Sequence, residues 1–230
     1  MSYLASVEAG EAPKLGRRVA IYGGGNTAMD AARTARRMGA EEAMIIYRRD
    51  REHMPAHEFE AQEAEEEGIT INWLRTIKQI DHTAFQVEVM EVDADGRPQP
   101  TGEFETIEVD SLVLALGQNV DTSILESIPG VELAWDGVVS VGPNMMTGAE
   151  GVFAGGDMVP SERTVTIATG HGKKAAHHID AWLRGQQYQK TSTQPSVDFN
   201  GLHLWYHSDA SQQQQSELPV ETRNTDFREV

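Results

Sequence analysis

Three successive glycines, Gly23, Gly24 and Gly25, followed by Asn26, Thr27 and Ala28, are the residues best suited to hold a phosphate group. Gly23 falls where the chain must turn sharply, a place that favours positive φ. Gly25 carries no side chain, so the backbone there can approach a pyrophosphate closely. Ala28 fills the third, small position of the pattern G-x-G-x-x-G/A, where helix packs on strand. An anion in such a turn meets unpaired N–H groups at the positive end of a helix. Asn26 and Thr27 offer further side-chain donors. Arg48 and Arg49, with Arg51 close behind, supply the other half of the chemistry. Enzymes that select NAD place Asp or Glu at that point to bond the ribose 2′-hydroxyl. A guanidinium reads ribose poorly and phosphate strongly, in bidentate fashion. The expected ligand is therefore NADP(H), whose 2′-phosphate needs a cation. Asp50 keeps NAD open, because its carboxylate can pair with an arginine or take a ribose hydroxyl.

These groups need a frame. The apolar run Val19-Ala20-Ile21-Tyr22 leads into the glycines, a helix-like stretch over 29–38 follows, and Ala43-Met44-Ile45-Ile46-Tyr47 delivers the arginines. Strand, glycine turn, helix and strand make a dinucleotide-binding βαβ unit over 17–50. Residues 1–16, with Pro13 and Gly16, read as a linker into it. Met54-Pro55-Ala56 starts a turn. Residues 57–67 then read as a helix whose six glutamates form a solvated face. Ile69-Thr70-Ile71-Asn72-Trp73-Leu74 reads as a third parallel strand. Period-two alternation over 85–92 and 106–109, with a turn at Asp95-Gly96, predicts an antiparallel β-meander within 75–110. The continuous apolar run over 110–117, ending in Gly117, predicts a buried strand returning to the parallel sheet. Beyond it, short strands are expected over 137–141 and 151–157, the second ending in Gly155-Gly156-Asp157. A helix over 164–183 carries small residues at Ala168, Gly170, Gly172, Ala175 and Ala176. Residues 186–230, including the glutamine run 212–215, read as a polar tail with little core of its own.

Composition narrows the function. The 230 residues carry a net charge of −17, which argues against nucleic-acid binding through a general basic surface. Residues 14–51 are the exception, with nine Lys/Arg against four Asp/Glu. A positive island on an acidic chain suits a small polyanion. No apolar stretch reaches the roughly 18–20 residues of a membrane span, and the opening Met1-Ser2-Tyr3-Leu4-Ala5, without a basic start or an apolar core, is not expected to act as a signal peptide. Cysteine is absent, so no thiol nucleophile, redox disulfide or thiolate-held cluster lies within the chain, and a cytoplasmic location is expected. His53 and His57 flank Pro55, and His177 and His178 are adjacent; all four read as surface histidines rather than metal ligands. No Gly-x-Ser-x-Gly turn occurs.

Together these motifs carry a resemblance. Residues 23–30, Tyr47-Arg48-Arg49, Met54-Pro55-Ala56, Ala115-Leu116-Gly117-Gln118, Val152-Phe153-Ala154-Gly155-Gly156-Asp157 and Thr164-Val165 resemble the NADPH-dependent small subunit of glutamate synthase and related flavoprotein subunits. The likeness covers about 17–184. It implies an α/β architecture: a Rossmann-like three-layer NAD(P)-binding domain with an antiparallel β-meander over 17–117, then over 118–185 the closing segment of a split FAD-binding domain. Asp157 would bond FAD ribityl or phosphate oxygens, and the helix start at Thr164 and Val165 would face the flavin ring. The first half of the FAD domain has no counterpart here, so either the chain is a piece of a longer protein, the favoured expectation, or the FAD half belongs to another chain. Asn119-Val120-Asp121 departs from the family, which commonly has proline there. The closing residues 226–230 resemble a linker toward a cysteine-rich iron–sulfur segment.

The implied activity is hydride transfer from NADPH C4 to flavin N5, with electrons passed on through iron–sulfur centres outside this chain to an acceptor subunit or ferredoxin-like partner. The cofactors carry that chemistry, so no catalytic side chain is expected, and the chain alone should catalyse little. The alternative is a non-catalytic nucleotide-binding or docking module.

Overall fold

A computed structural model describes residues 2–117, 120–125, 127–190, 197–205, 207, 210, 211, 213 and 216–227. Gln118, Asn119, most of the 212–215 glutamine run and residues 228–230 lie outside the described residues. The chain divides into two compact units, 1–117 with 212–230, and 118–211.

The first unit opens with α1, Ser2–Glu8. The stretch expected as a linker is thus partly helical. Tyr3, Leu4 and Val7 share one helical face and pack on the main core, and the chain leaves the helix through Gly10 at φ +75°. Next come β1 (Arg18–Tyr22), α2 (Asn26–Arg37), β2 (Glu42–Tyr47), α3 (Glu58–Glu66) and β3 (Thr70–Trp73). The chain then passes through Leu74, at φ +56°, into β4 (Arg75–Ile80), β5 (Ala84–Val92) and β6 (Pro98–Glu108), and returns as β7 (Ser111–Leu114). The parallel sheet has the order β3-β2-β1-β7, and β4-β5-β6 is antiparallel.

Alternation along the parallel strands builds three layers. Val19, Ile21, Ile45, Tyr47 and Ile71 face α2 and α3. Ala20, Met44 and Ile46 face Phe85, Val87 and Val109 on the meander side. The sheet is therefore covered on both faces, which is why its strands read as unbroken apolar runs. β7 corrects one expectation. Among the described residues it pairs with β1 alone, at the sheet edge; Leu112 and Val113 are half-buried and Leu114 is 62% exposed.

Two further corrections share one cause. Glu67, counted in a solvated face, is fully buried against Arg33 and Arg37. The end of the expected tail joins them: α5 (Val220–Arg223) places Arg223 beside Glu66 and Glu67, Asn224 donates to the Glu67 carbonyl, and Arg37 donates to the Asp226 carbonyl. A buried carboxylate gathers cations and donors, and here it anchors a segment that composition alone marks as loose.

In the second unit the expected strands at 137–141 and 151–157 are reduced to isolated bridges, Leu133 with Val139 and Met146 with Phe153. No multi-strand ladder forms around them among the described residues. A small core gathers Val139, Met145, Ala154 and Val159. A 3₁₀ turn, Gly156–Met158, precedes α4 (Val165–Leu183), in which only Ala181 is buried. Among the described residues, no helix is long and apolar enough to cross a membrane.

Candidate nucleotide site

The glycine turn leaves β1 at the carboxyl end of the parallel sheet. Tyr22 is in register with Ile46, and the Gly23 N–H donates to the Ile46 carbonyl at 3.1 Å. The three glycines are needed for different reasons. Gly23 has φ +151°, and a Cβ there would lie 2.2 Å from the Ala115 carbonyl oxygen. A Cβ on Gly24 would lie 2.3 Å from the Tyr47 ring, whereas one on Gly25 would meet nothing within 4 Å. Gly25 is the N-cap of α2 and no side chain caps that helix. The Ala28 N–H turns back to the Gly25 carbonyl at 2.8 Å, and the first N–H groups of the helix have no side-chain cap, an arrangement that suits an anion. Ala28 is fully buried under the sheet and Thr27 is half-buried. Asn26 also braces the loop that follows: its Oδ1 accepts the His57 N–H at 3.0 Å, tying α2 to the start of α3. Gly117, past the end of β7, has φ +111° and open space around its missing side chain.

The arginines divide sharply. Arg51 forks onto Glu58 at 3.0 and 2.8 Å and onto Glu65 at 3.2 and 3.1 Å, so its donors are already engaged. Arg48 is exposed and Arg49 half-buried. Among the described residues, neither side chain makes a hydrogen bond or ion pair, and the Arg49 Nε–H is buried without an acceptor. A buried guanidinium donor left unbonded is costly. Asp50 pairs with neither arginine; its Oδ1 accepts from the His53 ring and backbone. The His53 hydrogen bond holds the Asp50 carboxyl below the ordinary carboxylate value. Tyr47, the residue before the pair, donates its hydroxyl to the His53 carbonyl at 2.8 Å and stands edge-on to Trp73. Burial raises its phenol pKa, while Arg49 and Arg48 pull it the other way.

Sequence reading placed Tyr47 in the motif before the arginines and took His53 for a surface histidine, without the contacts that join Tyr47, Asp50 and His53. Tyr47 carried a signal, an aromatic directly before the arginines. His53 carried only its spacing of three from Asp50.

In the second unit, Phe153, Ala154, Gly155 and Gly156 face Ala168, His171, Gly172 and Ala175 across an open cleft of about 340 Å³. Gly156 has φ +69°, and its N–H donates to His171 Nδ1 at 3.2 Å. Asp157 is exposed. The Thr164 hydroxyl oxygen accepts the Ile167 N–H at 3.2 Å and caps α4, while Val165 is 84% exposed. The small residues of α4 thus lie against the Gly-Gly turn, and His171 is a contact that the sequence reading did not single out.

Comparison with known proteins places this geometry. The chain is 35% identical to the NADP(+)-dependent formate dehydrogenase subunit beta of Moorella thermoacetica, over 100% of this chain and 35% of that protein. It is 32% identical to the glutamate synthase [NADPH] small chain of Azospirillum brasilense, over 78% of this chain and 40% of that one. The chain thus spans about a third to two fifths of these relatives. Among solved structures, T. acidophilum thioredoxin reductase superposes with a TM-score of 0.60 at 26% identity, covering 70% of this chain and 51% of that one. The profile of the pyridine nucleotide-disulphide oxidoreductase family matches residues 1–172. With that match over most of its length, the chain belongs to the pyridine nucleotide-disulphide oxidoreductase family.

Proposed function

We propose that residues 17–117 bind NADP(H) and that the chain is the NADPH-binding module of a flavin-dependent oxidoreductase similar to the glutamate synthase small subunit. The observation that carries this reading is the unpaired state of Arg48 and Arg49 beside an uncapped helix start, while Arg17, Arg18, Arg33, Arg37, Arg51, Arg75 and Arg223 are all in ion pairs with acids. The α2 N-terminus and the space over Gly25 suit the pyrophosphate. Arg48 and Arg49, at the end of the next strand, suit the 2′-phosphate. Arg51 supports the loop through Glu58 and Glu65 instead of reaching a ligand.

Residues 118–185 are read as the closing segment of an FAD-binding domain. Gly155 and Gly156 would take the cofactor backbone at the cleft, Asp157 would accept its hydroxyl protons, and the α4 start at Thr164 and Val165 would turn N–H groups toward the ring. With both cofactors bound, the chemistry they would supply is hydride from NADPH to FAD, and iron–sulfur centres outside this chain would take the electrons onward. The chain's own residues bind and orient. The partners would be the remaining half of the FAD domain and an electron-acceptor subunit or ferredoxin-like protein.

Calorimetric titration of the full chain tests the core of this reading. Arg48→Glu with Arg49→Glu is expected to weaken NADPH binding by at least about tenfold while NADH changes by less than about twofold. Equal losses for both coenzymes would refute the 2′-phosphate role.

A further inference from the structure

Asp50 follows Arg49 directly at the carboxyl end of β2, the place from which an acid bonds the ribose hydroxyls of NAD. Left loose, its carboxylate would neutralise a neighbouring guanidinium or repel a 2′-phosphate. The structure gives it another partner. Its Oδ1 accepts the His53 ring Nδ1–H at 2.7 Å and the His53 backbone N–H at 3.0 Å. His53 is itself fixed from two sides. The Tyr47 hydroxyl donates to its carbonyl at 2.8 Å, and its ring lies so close to Gly96, in the β5–β6 turn, that a Cβ there would come within 2.7 Å of it. Asp50 makes no hydrogen bond or ion pair with Arg48 or Arg49 among the described residues.

We propose that His53 is a specificity-determining positioning residue: by holding Asp50, it keeps the loop's acid off the arginines and off the ribose, and so favours NADP(H) over NAD(H). The inference rests on the reading of Arg48 and Arg49 as the 2′-phosphate site. Specificity here comes from withdrawing a repulsive group as much as from presenting attractive ones. The ring acts through Asp50 and touches no coenzyme atom. The β5–β6 turn takes part because Gly96 leaves room for the imidazole, so the meander helps set coenzyme choice.

The test is titration of the full chain with NADPH and with NADH, by calorimetry, for four proteins: the unaltered chain, His53→Ala, His53→Ala with Asp50→Asn, and Arg48→Glu with Arg49→Glu. His53→Ala is expected to weaken NADPH about tenfold and to leave NADH unchanged or tighter. Adding Asp50→Asn should return NADPH affinity to within about threefold of the starting value, since the released group no longer carries charge. A purely structural loss would weaken both coenzymes and would not be rescued by the amide. An unchanged NADPH-to-NADH ratio in His53→Ala overturns the proposal. If the double-glutamate variant loses NADPH preference while His53→Ala keeps it, His53 has no such role and the arginine reading stands. If the double-glutamate variant also keeps its preference, the arginine reading fails and this inference falls with it.

Discussion

Arg33 grips the buried carboxylate of Glu67 through two hydrogen bonds, from Nε–H at 3.0 Å and Nη2–H at 2.7 Å. Arg37 adds a third at 3.0 Å, and Arg223 stands at 3.8 Å. One acid just past the end of α3 thus joins α2 to a helix that lies far along the chain. Replacing it strips Arg37 of its acid and leaves Arg33 with Glu63 and Arg223 with Glu66 alone. Glu67→Gln is expected to destabilise the first unit by about 3 kcal/mol in urea denaturation, the usual scale for breaking a buried pair. Arg223→Ala should cost less, because Arg33 and Arg37 still satisfy the carboxylate.

Gly24 and Gly25 should respond in opposite ways to the same added methyl. Gly24→Ala drives a Cβ into the Tyr47 ring and is expected to cost about 1–3 kcal/mol, as overpacking does. Gly25→Ala meets no protein atom and should change stability by no more than about 1 kcal/mol, the scale of an N-cap change. It should nonetheless weaken NADPH binding, because the methyl occupies the space read as the pyrophosphate's. Thermal melts and titrations on the two variants separate these effects.

Asp110 gives a pH signature. Hydrogen bonds from the Arg18 side chain and backbone hold its carboxyl down to about 2, from an ordinary 3.8. The unfolded chain therefore takes up this proton first as the solution is acidified. The stabilisation is complete above about 3.8 and is lost as pH falls through about 2. Asp110→Asn should flatten the dependence of the urea midpoint on pH within that window and leave its shape above pH 5 unchanged.

Thr164→Ala removes the hydroxyl that caps α4. The expected loss is about 1 kcal/mol, seen as reduced helical circular dichroism on warming. Val165→Ser, at a side chain 84% exposed, should leave the melt in place.

The parts of this fold that follow local rules were legible in the sequence. The glycine turn, the apolar strands and the period-two meander each announce themselves within ten residues or so. The arginines proposed to read the coenzyme are legible for the same reason, because that role places them at the end of the second strand. Pairings between distant segments were not. Nothing near Glu67 signals that Arg223 will reach it, and a glutamate-rich stretch looks solvated until its partners are placed. β7 misled in another way: a run such as Leu112-Val113-Leu114 has the same composition at a sheet edge as in its middle. The strands expected over 137–141 and 151–157 have suitable residues, yet only single bridges form, since a ladder needs a neighbour as well as a propensity. The setting of His53 was opaque because its ring lies against Gly96, which sequence order sets far away.

The outer side of β7 has a colloidal consequence. Among the described residues that strand has one neighbour, so its far row of amide and carbonyl groups can be extended by another molecule's backbone. A net charge of −17 keeps such molecules apart at long range. Brine shortens that repulsion to a few ångströms, so concentrated stocks of this acidic chain should stay dispersed in dilute buffer and cluster as salt is raised.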